Sequence, residues 1–176
     1  ASDLNGGTWI NTSIGWQLKK SSNGEMARKQ WVLVNEKWYV FDEFANMMTG
    51  WQLVNGKWYY LDQVNGHMLT GWIKLNNLWY YLDPNSGIMV TGWHNINNQW
   101  YYFNSKNGQM LTGWLCDNNL WFYLDQTIGN MLTGWQQIDG KWYYFKTTSD
   151  GKLGSMVTNT WIDNYYLNES GILTKN

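Results

Sequence analysis

Proline occurs once in this chain, cysteine once and histidine twice, and charged residues make up only 14% of its 176 positions. Each scarcity excludes something. Cys116 stands alone, so no internal disulfide can form, which suits a cytosolic protein and equally a surface protein stabilised by other means. A net charge of −1 leaves no basic footprint for nucleic acid. No run of about twenty apolar residues occurs, so insertion into a membrane is not expected. Ala1 to Thr8 has neither the basic start nor the apolar stretch of a signal peptide, and the chain reads as a mature protein or an excised fragment. His67 and His94 have no counterparts elsewhere in the chain and read as surface residues. No cluster of metal ligands and no glycine-rich phosphate loop appears, so neither a cofactor nor a catalytic constellation is expected.

What is abundant is aromatic. Phe, Trp and Tyr make up 18% of the residues, with 15 Trp and 12 Tyr, although the mean hydropathy is −0.51. That is the opposite of a disordered composition. The aromatics are periodic. Gly-Trp recurs at Gly50-Trp51, Gly71-Trp72, Gly92-Trp93, Gly113-Trp114 and Gly134-Trp135, always 21 residues apart. A second Trp follows each time at Trp58, Trp79, Trp100, Trp121 and Trp142, opening a run such as Trp58-Tyr59-Tyr60-Leu61. Met68, Met89, Met110 and Met131 come ten residues after the second Trp. Trp31 with Trp38 and Trp9 with Trp16 are weaker copies, and the segment 161–176 is a degenerate one. The whole of 1–176 reads as a single array of about seven hairpins plus that last unit, with atypical ends as expected of stacked repeats.

Each unit reads as a two-stranded hairpin. Asn55-Gly56, Asn76-Asn77, Asn97-Asn98, Asn118-Asn119 and Asp139-Gly140 are two-residue turns of the kind that needs positive φ. Such a turn sets Trp51 opposite Tyr60, Gln52 opposite Tyr59 and Leu53 opposite Trp58. Alternation then puts Trp51, Leu53, Trp58 and Tyr60 on one face and Gln52, Val54, Tyr59 and Leu61 on the other. A lone hairpin is marginal in water, so the units must stack, and a constant linker makes the stack an all-β solenoid. Asp62, Asp83 and Asp125 end the second strands and read as loop caps. Cys116, in the position of Leu53, reads as a packed thiol.

Grooves between stacked hairpins are expected to be lined by Trp and Tyr, with few carboxylates. Aromatic walls attract a desolvated cation through the ring quadrupole, and a quaternary ammonium fits best because it has no N–H left to satisfy. Met adds a polarizable contact.

The repeat GW-x6-W-[YF]-Y-[LF]-x6-7-M-x2-G resembles the choline-binding, or cell-wall-binding, repeats of streptococcal surface proteins and of phage or bacterial lytic enzymes, from Trp9 to Leu173. The resemblance implies a left-handed superhelix and choline held between successive hairpins by two Trp, a Tyr of the next hairpin and a Met. Carried over, it groups Trp51, Trp58, Met68 and Tyr81; Trp72, Trp79, Met89 and Tyr102; Trp93, Trp100, Met110 and Tyr123; and Trp114, Trp121, Met131 and Tyr144. An earlier group is Trp31, Trp38, Met47 or Met48, and Tyr60. At the ends, Trp9, Trp16 and Met26 form a site only if Tyr39 closes it, and Trp135 and Trp142 must reach Tyr165 or Tyr166. The second Tyr of each pair is chosen because it shares a face with the Trp. The implied partner is phosphocholine on teichoic or lipoteichoic acid, with the protein secreted, held non-covalently on a Gram-positive surface and compatible with a homodimer. A glucan-binding array and an adhesive array that binds a host protein are the alternatives.

Overall fold

The computed structural model describes residues 6–176; Ala1 to Asn5, part of the stretch found to lack signal-peptide features, lies outside the described residues. Two compact units divide the chain, residues 1–90 and 91–176. Among the described residues there is no helix long and apolar enough to cross a membrane.

The first unit holds hairpins Gly7–Thr12 with Gly15–Lys20, Gln30–Val34 with Lys37–Phe41, Gly50–Val54 with Lys57–Leu61, and Gly71–Leu75 with Leu78–Leu82. The second holds Gly92–Ile96 with Gln99–Phe103, Gly113–Asp117 with Leu120–Leu124, and Gly134–Ile138 with Lys141–Phe145. It ends in a three-stranded sheet, Thr160–Ile162, Tyr165–Leu167 and Leu173–Lys175. Every pairing is antiparallel and local. The register is the expected one: Trp51 lies opposite Tyr60, Gln52 opposite Tyr59 and Leu53 opposite Trp58.

The turns carry the positive φ that their residues suggest, 50° at Asn55 and 77° at Gly56, 50° at Asn76 and 66° at Asn77. In the second hairpin the same conformation falls on Glu36, which holds φ 69°. A left-handed L-residue costs about 1–2 kcal/mol, and glycine relieves it at an entropic cost of about 0.5–1 kcal/mol. Glu36→Gly is therefore expected to stabilise the protein by about 0.5–1 kcal/mol, seen as a raised urea midpoint with an unchanged slope. The glycine of each Gly-Trp pair has the same origin, with φ between 71° and 79° at Gly50, Gly71, Gly92 and Gly113. Where Gln30 and Thr160 replace that glycine, the left-handed residue moves one place earlier, to Lys29 and Asn159.

The core is one repeat position copied along the chain. Phe41, Leu61, Leu82, Phe103, Leu124, Phe145 and Leu167 each follow the aromatic run, and all are essentially inaccessible to solvent. The linkers staple neighbouring hairpins through alternate residues. Leu69 N–H donates to Tyr60 O of its own hairpin at 2.9 Å, while Met68 N–H donates to Trp38 O of the previous hairpin at 2.8 Å. Met47 with Trp16, Met89 with Trp58, Met131 with Trp100 and Met156 with Trp121 repeat the second bond.

The expected loop caps are present. Asp62 Oδ1 accepts from Val64 N–H and Asn65 N–H, Asp83 Oδ1 from Asn85 and Ser86, and Asp125 Oδ1 from Thr127 and Ile128. These bonds favour the carboxylate and hold Asp62 below the ordinary aspartate range. Asn104 does the same work with a neutral oxygen. Two expectations fail. Cys116 is exposed rather than packed, because its position faces outward beyond the grooves, as Leu53 at 55% exposure also shows. His67 and His94 are half-buried, and His67 Nδ1 is buried without a hydrogen-bond partner.

Candidate functional site: aromatic grooves between hairpins

Stacking brings one face of a hairpin against the opposite face of the next. The first Trp of a hairpin therefore meets the first Tyr of its successor. Ring centroids lie 4.7 Å apart for Trp9 and Tyr39, 4.9 Å for Trp31 and Tyr59, and 5.1 Å for Trp51 and Tyr80. In the second unit they lie 5.0 Å apart for Trp93 and Phe122, 4.9 Å for Trp114 and Tyr143, and 5.5 Å for Trp135 and Tyr165. All six contacts are edge-to-face.

The two Trp of one hairpin stand almost at right angles. Trp9 and Trp16 are inclined at 88°, Trp72 and Trp79 at 88°, and Trp114 and Trp121 at 82°. Two perpendicular indoles and a third ring make the corner of a box. Trp31, Trp38, Tyr59 and Met68 line one such groove of about 270 Å³, with Asn85 and Ser86 at its rim. Trp9, Trp16, Tyr39 and Met47 line another of about 630 Å³, rimmed by Val64 and Asn65. Burial in that wall raises the Tyr39 hydroxyl above the usual tyrosine range. Trp93, Trp100, Phe122 and Met131 line a groove of about 260 Å³, and Trp135, Trp142, Tyr165 and Leu173 one of about 370 Å³. None of these four is lined by a carboxylate. Asp117 Oδ2 accepts from the Trp93 indole N–H at 3.0 Å; apart from that carboxylate, attraction for a cation comes from the ring faces.

In three of these four grooves the rim is supplied by a third repeat. The loop that Asp62 caps carries Asn65 to the groove of Trp9 and Trp16, two hairpins back. It can do so because Gly66, at φ 79°, lies directly on Met47, where a Cβ would collide with the sulfur. Gly87 lies on Met68 in the same way, as do Gly129 on Met110, Gly154 on Met131 and Gly171 on Met156. Such a groove thus draws its Trp pair from one repeat, its third ring and Met from the next repeat and linker, and its rim from the linker after that.

This regroups the quartets read from the sequence. Within the two units, Tyr60, Tyr81, Tyr123 and Tyr144 do not close the groove of the preceding hairpin, and Tyr102 packs as they do. Each lies against the first Trp of its own hairpin, at 5.1 Å from Trp51, 5.1 Å from Trp72, 5.2 Å from Trp93, 5.1 Å from Trp114 and 5.0 Å from Trp135. The physical reason is the face rule itself. Residues that share a face with the Trp pack within the hairpin, so the ring that arrives from the neighbour must come from the other face. Tyr59, Tyr80, Phe122 and Tyr143 were thereby missed, though their alternation with the second Tyr was the available signal; Tyr39 and Tyr165 already stood among the alternatives at the two ends. The methionines shift one repeat as well. Met68 lies with Trp31 and Trp38 rather than Trp51 and Trp58, Met89 bonds Trp58 rather than joining Trp72 and Trp79, and Met131 lies with Trp93 and Trp100. Met110 lies against Gly129 of the following linker, Met47 belongs with Trp9 and Trp16, and Met156 joins Trp121. At the end of the first unit, Lys74 Nζ lies 5.7 Å from the Trp79 ring centroid, so that ring face already meets an ammonium from its own hairpin. Among the described residues, no group of three or more His, Cys, Asp or Glu could hold a metal ion.

The family model described as a choline-binding repeat matches residues 29–70, 48–91 and 90–133, and a putative cell wall binding repeat matches 133–148. Since those matches run through more than half of the chain, it belongs to the choline-binding repeat family. It is similar to choline binding protein F from Streptococcus pneumoniae, solved in the presence of a peptidoglycan analogue, at 38% identity and a TM-score of 0.87, covering 96% of this chain and 58% of that one. It is similar to CbpJ from the same species at 36% identity and a TM-score of 0.87, again over 96% and 58%. A cell wall endolysin from phage Cp-1, complexed with choline, matches at 31% identity with a TM-score of 0.53, over 89% of this chain and 43% of that one. The chain thus spans less than two thirds of the length of these relatives. A search of curated proteins returns no match.

Proposed function

We propose that the chain is a non-catalytic anchoring module whose grooves capture the trimethylammonium of choline, presented as phosphocholine on teichoic and lipoteichoic acids. The carrying observation is the box of perpendicular indoles closed by a ring from the next hairpin, with no carboxylate on its walls. A quaternary ammonium satisfies such a site completely, whereas a primary amine would keep unsatisfied N–H groups. In the first unit the sites are Trp9, Trp16, Tyr39 and Met47; Trp31, Trp38, Tyr59 and Met68; and Trp51, Trp58, Tyr80 and Met89. In the second they are Trp93, Trp100, Phe122 and Met131; Trp114, Trp121, Tyr143 and Met156; and Trp135, Trp142, Tyr165 and Leu173. Both units carry the same groove, and we take the chain as one binding array, secreted and held non-covalently at the bacterial surface.

Three rings supply roughly 2–6 kcal/mol before binding costs, which places a single groove at a Kd on the order of millimolar. A polymer carrying many phosphocholines raises this by about 10²–10⁴ through effective concentration. Choline is expected to quench or shift Trp fluorescence with saturation in the millimolar range, while glucan oligomers and ammonium chloride leave it unchanged. No response to choline at about 100 mM would eliminate this function, and saturable response to a glucan would favour a carbohydrate-binding array instead.

A further inference from the structure

The groove of Trp93, Trp100 and Phe122 differs in its rim from the grooves of Trp9 with Trp16 and of Trp31 with Trp38. Val64 with Asn65, and Asn85 with Ser86, rim the two grooves described in the first unit. Here the corresponding loop is longer: ten positions separate Lys146 from Met156, against six between Asp125 and Met131. The extra residues bring Ser149, Gly151 and Lys152 to the groove wall. Lys152 is exposed, yet its backbone is fixed on both sides. Its carbonyl accepts from Ser155 N–H at 3.0 Å and from Ser155 Oγ–H at 2.7 Å, and Ser155 is buried. Leu153, its neighbour, packs on the core cluster of Phe122, Leu124 and Met131. Lys146 Nζ donates to Asp150 O at 3.4 Å and ties down the outer part of the loop. Asp150 is the loop's only carboxylate and is not among the residues lining the groove.

A lysine at the mouth of a cation-capturing box is unfavourable for free choline, whose only formal charge is positive. It is favourable for a zwitterion that places an anion a short chain away from its ammonium. We infer that this groove reads both charges of phosphocholine: Trp93, Trp100 and Phe122 take the trimethylammonium, and Lys152 takes the phosphate, so that this site prefers phosphocholine to choline. The inference rests on the ammonium-capturing reading of the grooves and adds a specificity residue to one of them. An exposed ammonium–phosphate pair corresponds to about five-fold in affinity at low ionic strength, and to little at about 1 M salt.

The test is a titration of the intact chain with choline chloride and with phosphocholine, followed site by site through the indole N–H resonances. At low salt, the Trp93 and Trp100 signals are expected to report phosphocholine binding about five-fold tighter than choline, and those of Trp31 and Trp38 about equal binding of the two. Lys152→Gln, an exposed substitution that leaves the Leu153 and Ser155 anchors intact, should bring the ratio at Trp93 and Trp100 to about one without weakening choline. Equal affinities at that groove in the unaltered protein, a preference that survives Lys152→Gln or 1 M salt, or silence of Trp93 and Trp100 while Trp31 and Trp38 respond would each overturn the inference alone. Silence of every groove towards both ligands would overturn the ammonium-capturing reading, and the inference with it.

Discussion

Tyr59→Leu is expected to weaken choline at the groove of Trp31 and Trp38 by about ten-fold, and Tyr60→Leu by less than about two-fold. The leucine keeps much of the volume and removes the ring face. A desolvated ring contributes up to about 2 kcal/mol to a bound cation, and about 1.4 kcal/mol is a factor of ten. Tyr59 is edge-to-face with Trp31 at 4.9 Å and lines the groove. Tyr60 is buried against Trp51 of its own hairpin and lines no part of it. Its loss should appear in the melting curve instead, since an aromatic pair is worth about 0.5–1.5 kcal/mol beyond its burial. Indole N–H titrations of both variants check this, and the reverse order of effects would restore the second Tyr as the groove's third wall.

The largest stability effect is expected at the glycines that lie on the methionines. Gly87→Ala must hold φ near 77° and place a methyl group against the Met68 sulfur. The left-handed conformation costs about 1–2 kcal/mol and the overpacking about 1–3 kcal/mol, so a loss of about 2–5 kcal/mol follows. Met68 can yield only by leaving the floor of the Trp31 and Trp38 groove, so choline affinity there should fall as well. Gly56→Ala has the same φ of 77° but nothing within 4 Å of the new methyl. Its cost should be about 1–2 kcal/mol, with binding untouched. Urea unfolding of the two variants separates the backbone effect from the packing effect; equal losses would show that the Gly87–Met68 contact carries no weight.

Much of the fold was legible in the residues alone. The Asn-Gly and Asn-Asn turns set the register, and the register placed Trp51 opposite Tyr60 as found. The aspartates that end the second strands cap their loops as their chemistry suggests. What the pattern did not reveal was the operation relating one hairpin to the next. Period-two alternation tells which side chains share a face, but not which face meets the neighbour. Sharing a face with Trp51 therefore pointed to Tyr60 as a partner, correctly within the hairpin and incorrectly between hairpins. The displaced methionines have the same cause. Met68 is only ten residues from Trp58 in the chain, yet its backbone bonds Trp38, because the linker runs back across the preceding hairpin. At the C-terminal end, Leu173 enters the groove of Trp135 and Trp142 through a strand paired with Tyr165–Leu167, in a segment that has lost the repeat pattern.

The most direct test of the three-repeat groove is a crystal structure of the chain grown with choline. The trimethylammonium should sit between Trp31, Trp38 and Tyr59, above Met68, with its nitrogen within about 6 Å of each ring centroid. Choline beside Tyr60, or density absent from every groove at saturating ligand, would contradict it.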